Sequence, residues 1–325
     1  MSGLILQRVV QDRAQRRRVA DRRAVEKALV AVMQGRAEAA FALRPFRRRA
    51  RLMSETLLDF MSVVRGHDRE VVVAALETVG VQQGLRARLR RGSMPGRLAA
   101  IEALAAFPGS ETEKALRDVA RESPQLRLTA LEALSRAGYD VPVRDLLDAA
   151  AQGDLRASGR FAEFLRERVV EHPQAGVGEL ARTDLSPELR VLLLEALGAS
   201  GDYSVITALA ANASHVDAAV RAAAVRALGR LQHPAGQAAV AAALDDPDPE
   251  VRAAGAGAAG EARLGRLADT LYARLSDDAW RVRFQAAAAL GKLGPAGLER
   301  LRQAAALPDP AAQRAASLTL AELGA

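Results

Sequence analysis

The chain has 325 residues, no cysteine, and a formal charge of +7 from 46 basic and 39 acidic side chains. Without cysteine it has no disulfide scaffold, no thiolate metal site and no thiol nucleophile. Half of the residues are hydrophobic but only 3% are aromatic, an Ala- and Leu-rich composition that favours helix and excludes intrinsic disorder.

The charge is concentrated at the start. Residues 1–53 hold 14 basic and 4 acidic side chains (+10), against 32 and 35 (−3) for the remainder. Any argument from net charge to a partner therefore concerns this leader alone. Leu4-Ile5-Leu6 and Val9-Val10 precede its Arg-rich stretch. That order reads as the end of a transmembrane helix and its cytoplasmic flank, so the native chain is expected to begin earlier; a basic amphipathic surface helix gives a similar string. It is not the order of a secretory signal, in which the basic run comes first. No stretch of the sequence approaches 18 apolar residues, the length a spanning helix needs.

Arg16, Arg17, Arg18, Arg22, Arg23, Arg47, Arg48 and Arg49 are candidate contacts to a polyanion or an anionic membrane. Nucleic acid is the less favoured of these, because only Phe41 and Phe46 are nearby to stack on bases. Val25, Leu29, Val32 and Met33 form a helical stripe ending near Gly35, which reads as a helix covering the first repeat.

Beyond the leader one pattern recurs: apolar, Arg, then small residues at helical spacing, then Leu-Gly. Weak copies lie at Val71-Val72…Val79-Gly80, Arg97…Leu104 and Leu126-Arg127…Leu134. Residues 154–172 fill a slot in the series but match poorly, with Phe161 and Phe164 marking an irregular fourth unit. Strong copies follow at Leu189-Arg190…Leu197-Gly198, Val220-Arg221…Leu228-Gly229, Val251-Arg252…Ala259-Gly260 and Val282-Arg283…Leu290-Gly291. Their arginines are 31 residues apart three times running. A last copy, Ala312-Gln313…Leu320, has Gln for Arg.

Each copy carries a helical stripe at i, i+4, i+7 and i+8. Ser123-Pro124, Ser186-Pro187, Asp248-Pro249 and Asp309-Pro310 place a capping side chain before a proline at the first helical position. Gly138, Gly201 and Gly294 fit left-handed C-caps. A second apolar segment lies between copies, as at 264–275. The result is nine helix pairs, at 54–79, 81–106, 110–137, 141–172, 176–199, 203–230, 234–260, 264–293 and 295–323. One pair cannot bury both apolar faces, whereas stacked pairs can. The expected fold is all-α: a right-handed α-solenoid over 54–325 behind a basic helical leader over 1–53.

The repeats resemble the HEAT family, in particular its short bacterial type, also found in phycobilisome lyases; the likeness is strongest over 184–294. That family carries an Asp six residues before the Arg, matched by Asp184/Arg190, Asp246/Arg252 and Asp277/Arg283. The resemblance implies a structural ladder of these residues, together with Arg221, tying adjacent repeats. Where His215 replaces the Asp for Arg221, and Leu307 that for Gln313, the ladder is expected to break. The arginines read as this ladder rather than as a basic groove, because the Asp spacing is fixed and the repeat region is net acidic.

No catalytic constellation stands out. His67, His172, His215 and His233 are isolated; none precedes Glu and none forms H-x-x-x-H or H-E-x-x-H. Nucleophile-elbow, dinucleotide and P-loop motifs are missing. No catalytic residue, cofactor or metal ligand is therefore assigned. Trp280, the only tryptophan, is either a partner contact or a packed contact between repeats.

The expected function is a non-enzymatic protein–protein scaffold or adaptor, cytoplasmic, with the leader meeting anionic lipid or a membrane protein at the inner membrane. Two alternatives come from resemblance: a nucleic-acid-binding DNA glycosylase-like protein and a bilin-lyase-like helper. The acidic repeats speak against the first, and no residue marks a tetrapyrrole site.

Overall fold

A computed structural model describes residues 2–46, 49–152 and 159–324, without the side chains of 2–14, 50, 51, 54, 58, 61 and 62. The described residues form helices and no strand. They divide into two compact units, 1–141 and 142–325.

In the first unit α1 (Ser2–Met33) runs to Gly35, whose φ of +83° turns the chain into a 3-10 segment, Ala37–Phe46. Val25, Ala28, Leu29 and Val32 lie one turn apart and are buried, as are Ala40 and Leu43 of the 3-10 segment. This stripe packs on α2 (Ala50–Val63) and α3 (His67–Thr78), so the C-terminal half of the leader is the expected cover. The first pair is built differently from the expected 54–79 hairpin. α3 packs on α1 and the 3-10 segment, and it is α2 that lies on α5 (Met94–Leu104), although the weak signature copy falls on α3. Its Val72 and Leu76 are buried all the same, which is why a one-dimensional pattern cannot tell which row a helix joins.

α4 (Val81–Arg91) pairs with α5, and α6 (Ser110–Glu122) with α7 (Pro124–Arg136). Ser123 joins the last two without forming the expected side-chain cap. Arg127 is buried and donates from Nε to the Ala120 carbonyl at 2.7 Å. Tyr139 fastens the end of the unit by donating its hydroxyl to the Gly109 carbonyl at 2.9 Å.

The second unit begins with α8 (Val143–Ala151) and α9 (Gly159–Glu171), whose Phe161 and Phe164 are both core residues. Residues 154–158 of the poorly matching copy lie outside the described residues. Two rows then alternate. One is α10 (Pro173–Leu180), α12 (Ile206–Asn212), α14 (Gln237–Ala243), α16 (Ala268–Ala273) and α18 (Pro295–Ala305). The signature row is α11 (Pro187–Gly198), α13 (Ala218–Leu231), α15 (Pro249–Glu261), α17 (Trp280–Lys292) and α19 (Pro310–Leu323). The apolar segment at 264–275 is not one helix but a short α16 between two 3-10 turns.

Each signature helix packs on the next. Val220, Val251 and Val282 are fully buried at equivalent positions, each worth about 1.5–3 kcal/mol. The Leu-Gly at the end of the pattern serves this stacking. A Cβ on Gly198 would stand 2.6 Å from the Ala227 Cβ, and one on Gly229 2.6 Å from the Ala258 backbone. Only a bare backbone allows helices so close. Ser186, Asp248 and Asp309 cap their helices as expected, the aspartates accepting the Glu250 and Ala311 N–H at 2.8 and 2.9 Å. Asp217 caps α13 in the same way without a following proline to announce it.

Candidate partner-binding face

Two Arg–Asp rungs form among the described residues, and each runs from one repeat to the next. Arg221 donates from Nε and Nη2 to the two oxygens of Asp246, both at 2.8 Å, while Nη1 holds the His215 and Val216 carbonyls at 3.0 Å. Arg252 does the same: Nε and Nη2 meet Asp277 at 2.8 and 2.9 Å, and Nη1 holds the Asp246 and Pro247 carbonyls. Each arginine thus fixes the loop entering its own helix and the carboxylate of the following repeat. Such planar bidentate pairs are the strong form of ion pair.

The carboxylates respond. Hydrogen bonds from Arg221 hold Asp246 below its ordinary value. Burial pushes Asp277 up, but the Arg252 hydrogen bonds and the Ala279 N–H outweigh it and leave the group lowered.

Three ladder expectations need correction. Asp184 is not a rung: it is exposed and takes the guanidinium of Arg182 at 2.8 and 3.0 Å, which lowers it to about 2. His215 does not break the ladder at Arg221, since the acceptor belongs to the next repeat. The arginine left without a carboxylate by His215 is Arg190. It is buried and donates instead to the Leu180 and Arg182 carbonyls at 2.6 and 2.7 Å, with Asn212 Oδ1 at 3.4 Å. His215 Nδ1 still accepts the Asp217 N–H at 3.0 Å, the loop contact that Asp246 makes to the Asp248 N–H at 2.8 Å. The residue replaces half of what the aspartate does.

By the same logic the loss of an Asp at Leu307 falls on Arg283. Its Nη1 holds the Asp277 and Asp278 carbonyls at 2.7 and 2.9 Å, but no carboxylate among the described residues meets its fork. Gln313 keeps only a bond to the Ala305 carbonyl.

Trp280 is not packed between repeats. It is 69% exposed at the first position of α17, where α11, α15 and α19 have proline. With Phe284 and Leu318, also exposed, it lines a concavity between α17 and α19 that includes Arg283 and Arg314. A second trough runs along α15, floored by Ala253, Ala254 and Gly257 and edged by Arg226, Glu250, Arg281 and Gln285. Ion pairs Arg226–Glu195 at 3.2 Å and Arg281–Glu250 at 2.9 Å cross between signature helices there. The signal that could have found this face was the aromatic replacing proline at 280.

The leader arginines separate into two groups. Arg22 bonds Glu26 and Asp59, each at 2.8 Å, and Arg49 pairs with Asp21, so both tie α1 to its neighbours. Arg16, Arg17, Arg18 and Arg23 are exposed, and no carboxylate among the described residues pairs with them. Arg47 and Arg48 lie outside the described residues, as do the side chains of the Leu4–Val10 stretch. Among the described residues no helix is long and apolar enough to cross a membrane, and no three His, Cys, Asp or Glu side chains cluster as a metal site would need.

The HEAT-repeat family matches the chain over 175–260 and again over 236–321. Residues 175–321 are HEAT repeats. The HEAT match covers the whole signature row from α11 to α19, save its last residues, and both troughs on it. No curated protein matches the sequence. Among solved structures, an engineered protein is similar at 17% identity over 93% of this chain and 99% of its own (TM-score 0.41). Kap121p is similar at 14% identity over 91% of this chain (TM-score 0.46), and the match spans 45% of Kap121p. Human deoxyhypusine hydroxylase is similar at 17% identity over 76% of this chain and 98% of its own (TM-score 0.27).

Proposed function

We propose that this HEAT-repeat chain is a non-enzymatic scaffold that binds a protein partner along its signature row. The observation that carries this reading is the exposure of Trp280, joined by Phe284 and Leu318 on adjacent helices. Large aromatics left in water at the mouth of a concavity are what a protein interface uses as anchors. The test is retention of partners from a source-cell lysate by the full chain and by Trp280→Ala, read by mass spectrometry. A stoichiometric protein retained by the first and lost by the second supports the reading; equal retention, or none, counts against it.

The leader supports a location at a cytoplasmic membrane face. Arg16, Arg17, Arg18 and Arg23 present an exposed cationic surface that no carboxylate among the described residues pairs, and each such residue near an anionic leaflet contributes about 1 kcal/mol. Removing residues 1–53 is the wrong test, because Val25, Leu29 and Leu43 belong to the core. The full chain should float with phosphatidylserine vesicles, and the variant with Arg16, Arg17 and Arg23 changed to Glu should not; no flotation of the full chain, or undiminished flotation of the variant, removes the membrane role from these residues.

A further inference from the structure

Arg221 and Arg252 each present a fork of Nε and Nη2, and each fork is filled by an aspartate carboxylate from the next repeat. Arg283 occupies the equivalent place, with Nη1 held on the same two loop carbonyls. Its aspartate is replaced by Leu307. Asp309, whose carboxyl is lowered by the Ser276 hydroxyl, the Ala311 N–H and the Arg283 charge, is engaged with the first two rather than with the fork. The loop anchoring that orients the guanidinium is thus retained, and the acceptor is absent.

What surrounds this fork differs from the closed steps. Arg283 shares its concavity with a second cation, Arg314, and with exposed Trp280, Phe284 and Leu318. At the step before, the position of Trp280 is Pro249 and that of Phe284 is buried Ala253. We propose that the α17–α19 concavity is a docking site for an acidic peptide segment of a partner protein. An Asp or Glu carboxylate fills the Arg283 fork as Asp246 and Asp277 fill theirs, and a neighbouring apolar side chain sits against Trp280 and Phe284. Charge complementarity selects the carboxylate, and the two closed rungs supply its geometry. This rests on the scaffold reading and names the chemistry of its partner.

Trp280 is the only tryptophan, so its emission reports on this site alone. The probe is a pool of capped nonapeptides with a central Asp flanked by randomised Leu, Ile, Val and Phe, against the same pool with Asn and against inorganic phosphate. The Asp pool should blue-shift the emission saturably, with the Asn pool at least tenfold weaker and phosphate without effect on wavelength. Arg283→Lys keeps the charge but not the fork, and should weaken the Asp pool at least tenfold in a chain whose circular dichroism is unchanged. Should that variant misfold, the Asp and Asn pools on the unaltered chain decide alone. Equal response to the two pools, no response, or a shift with phosphate only would overturn the proposal. If the pools fail while the lysate partner is still retained and lost on Trp280→Ala, the acidic-peptide assignment falls and the scaffold reading stands.

Discussion

The step from α15 to α17 and the step from α17 to α19 are built on the same plan and finished differently. At the first, Gly260 lets α15 and α17 touch backbone to backbone, and Arg252 is locked on Asp277. At the second, a Cβ on Gly291 would meet the end of Leu323 at 3.0 Å and Thr319 at 3.3 Å, and no carboxylate among the described residues meets the Arg283 fork. The closed step leaves no large apolar side chain in water on α15, whereas the open one exposes Trp280, Phe284 and Leu318. One array can thus use its recurring arginine for cohesion in one repeat and leave it available in the next, and the deciding residue lies in the following loop.

The sharpest way to break this comparison is at the glycines. Gly229→Ala forces a Cβ to 2.6 Å from the α15 backbone, and overpacking of that kind costs about 1–3 kcal/mol or more. Gly291→Ala meets a movable leucine tip and should cost far less, with the helix preference for alanine offsetting part of it. Thermal unfolding of the two variants checks this; equal losses would mean that the last step is as tightly built as the others.

Next in size is the ladder. Asp277→Ala leaves the Arg252 fork unpaired and should cost about 1.5–3 kcal/mol in chemical unfolding. Gln313→Ala, at the open end, loses one bond to a carbonyl and should cost about 1 kcal/mol or less. Because Asp246 and Asp277 are held below their ordinary value of 3.8, their contribution is complete above about pH 4 and is lost as pH falls through the depressed folded values. The double variant Asp246→Asn, Asp277→Asn should therefore be less stable at neutral pH and show a shallower loss of stability as pH falls below about 4. An unchanged acid slope would separate the ladder from acid unfolding.

The smallest effects belong to caps and surface pairs. Asp248→Ala should cost about 1 kcal/mol, since its carboxylate accepts the Glu250 N–H at the start of α15. Glu250→Gln removes an exposed partner of Arg281 and should change stability by less than about 1 kcal/mol.

Much of this architecture was legible in the order of residues. The 31-residue period, the apolar stripes, the Ser/Asp-Pro starts at 186, 248 and 309 and the positive-φ glycines at 138 and 201 are local signals, and local backbone physics reads them one segment at a time; Gly294 also has positive φ, but with ψ −146° it stands at the start of α18 and not as a left-handed C-cap. The stripe at Val25, Leu29 and Val32 announced its own burial for the same reason. The binding face was less legible, because exposure depends on what stacks above a residue. The pattern gives Trp280 the first position of a helix, and nothing in it says whether the neighbouring repeat will cover the ring.

The sequence by itself therefore determined the helices, their pairing over most of the chain and the class of the fold, since those follow from periodicity and capping within a few turns. Tertiary structure alone decided which helix of the first pair lies on α5, that Asp184 turns to Arg182, and that the gap at His215 is felt by Arg190. It also decided that Gly198, Gly229 and Gly260 serve helix contact, and that Arg283 keeps an open fork beside an exposed tryptophan. Each of these is an interaction between residues a repeat apart, and its outcome is set by which surfaces meet when the repeats stack.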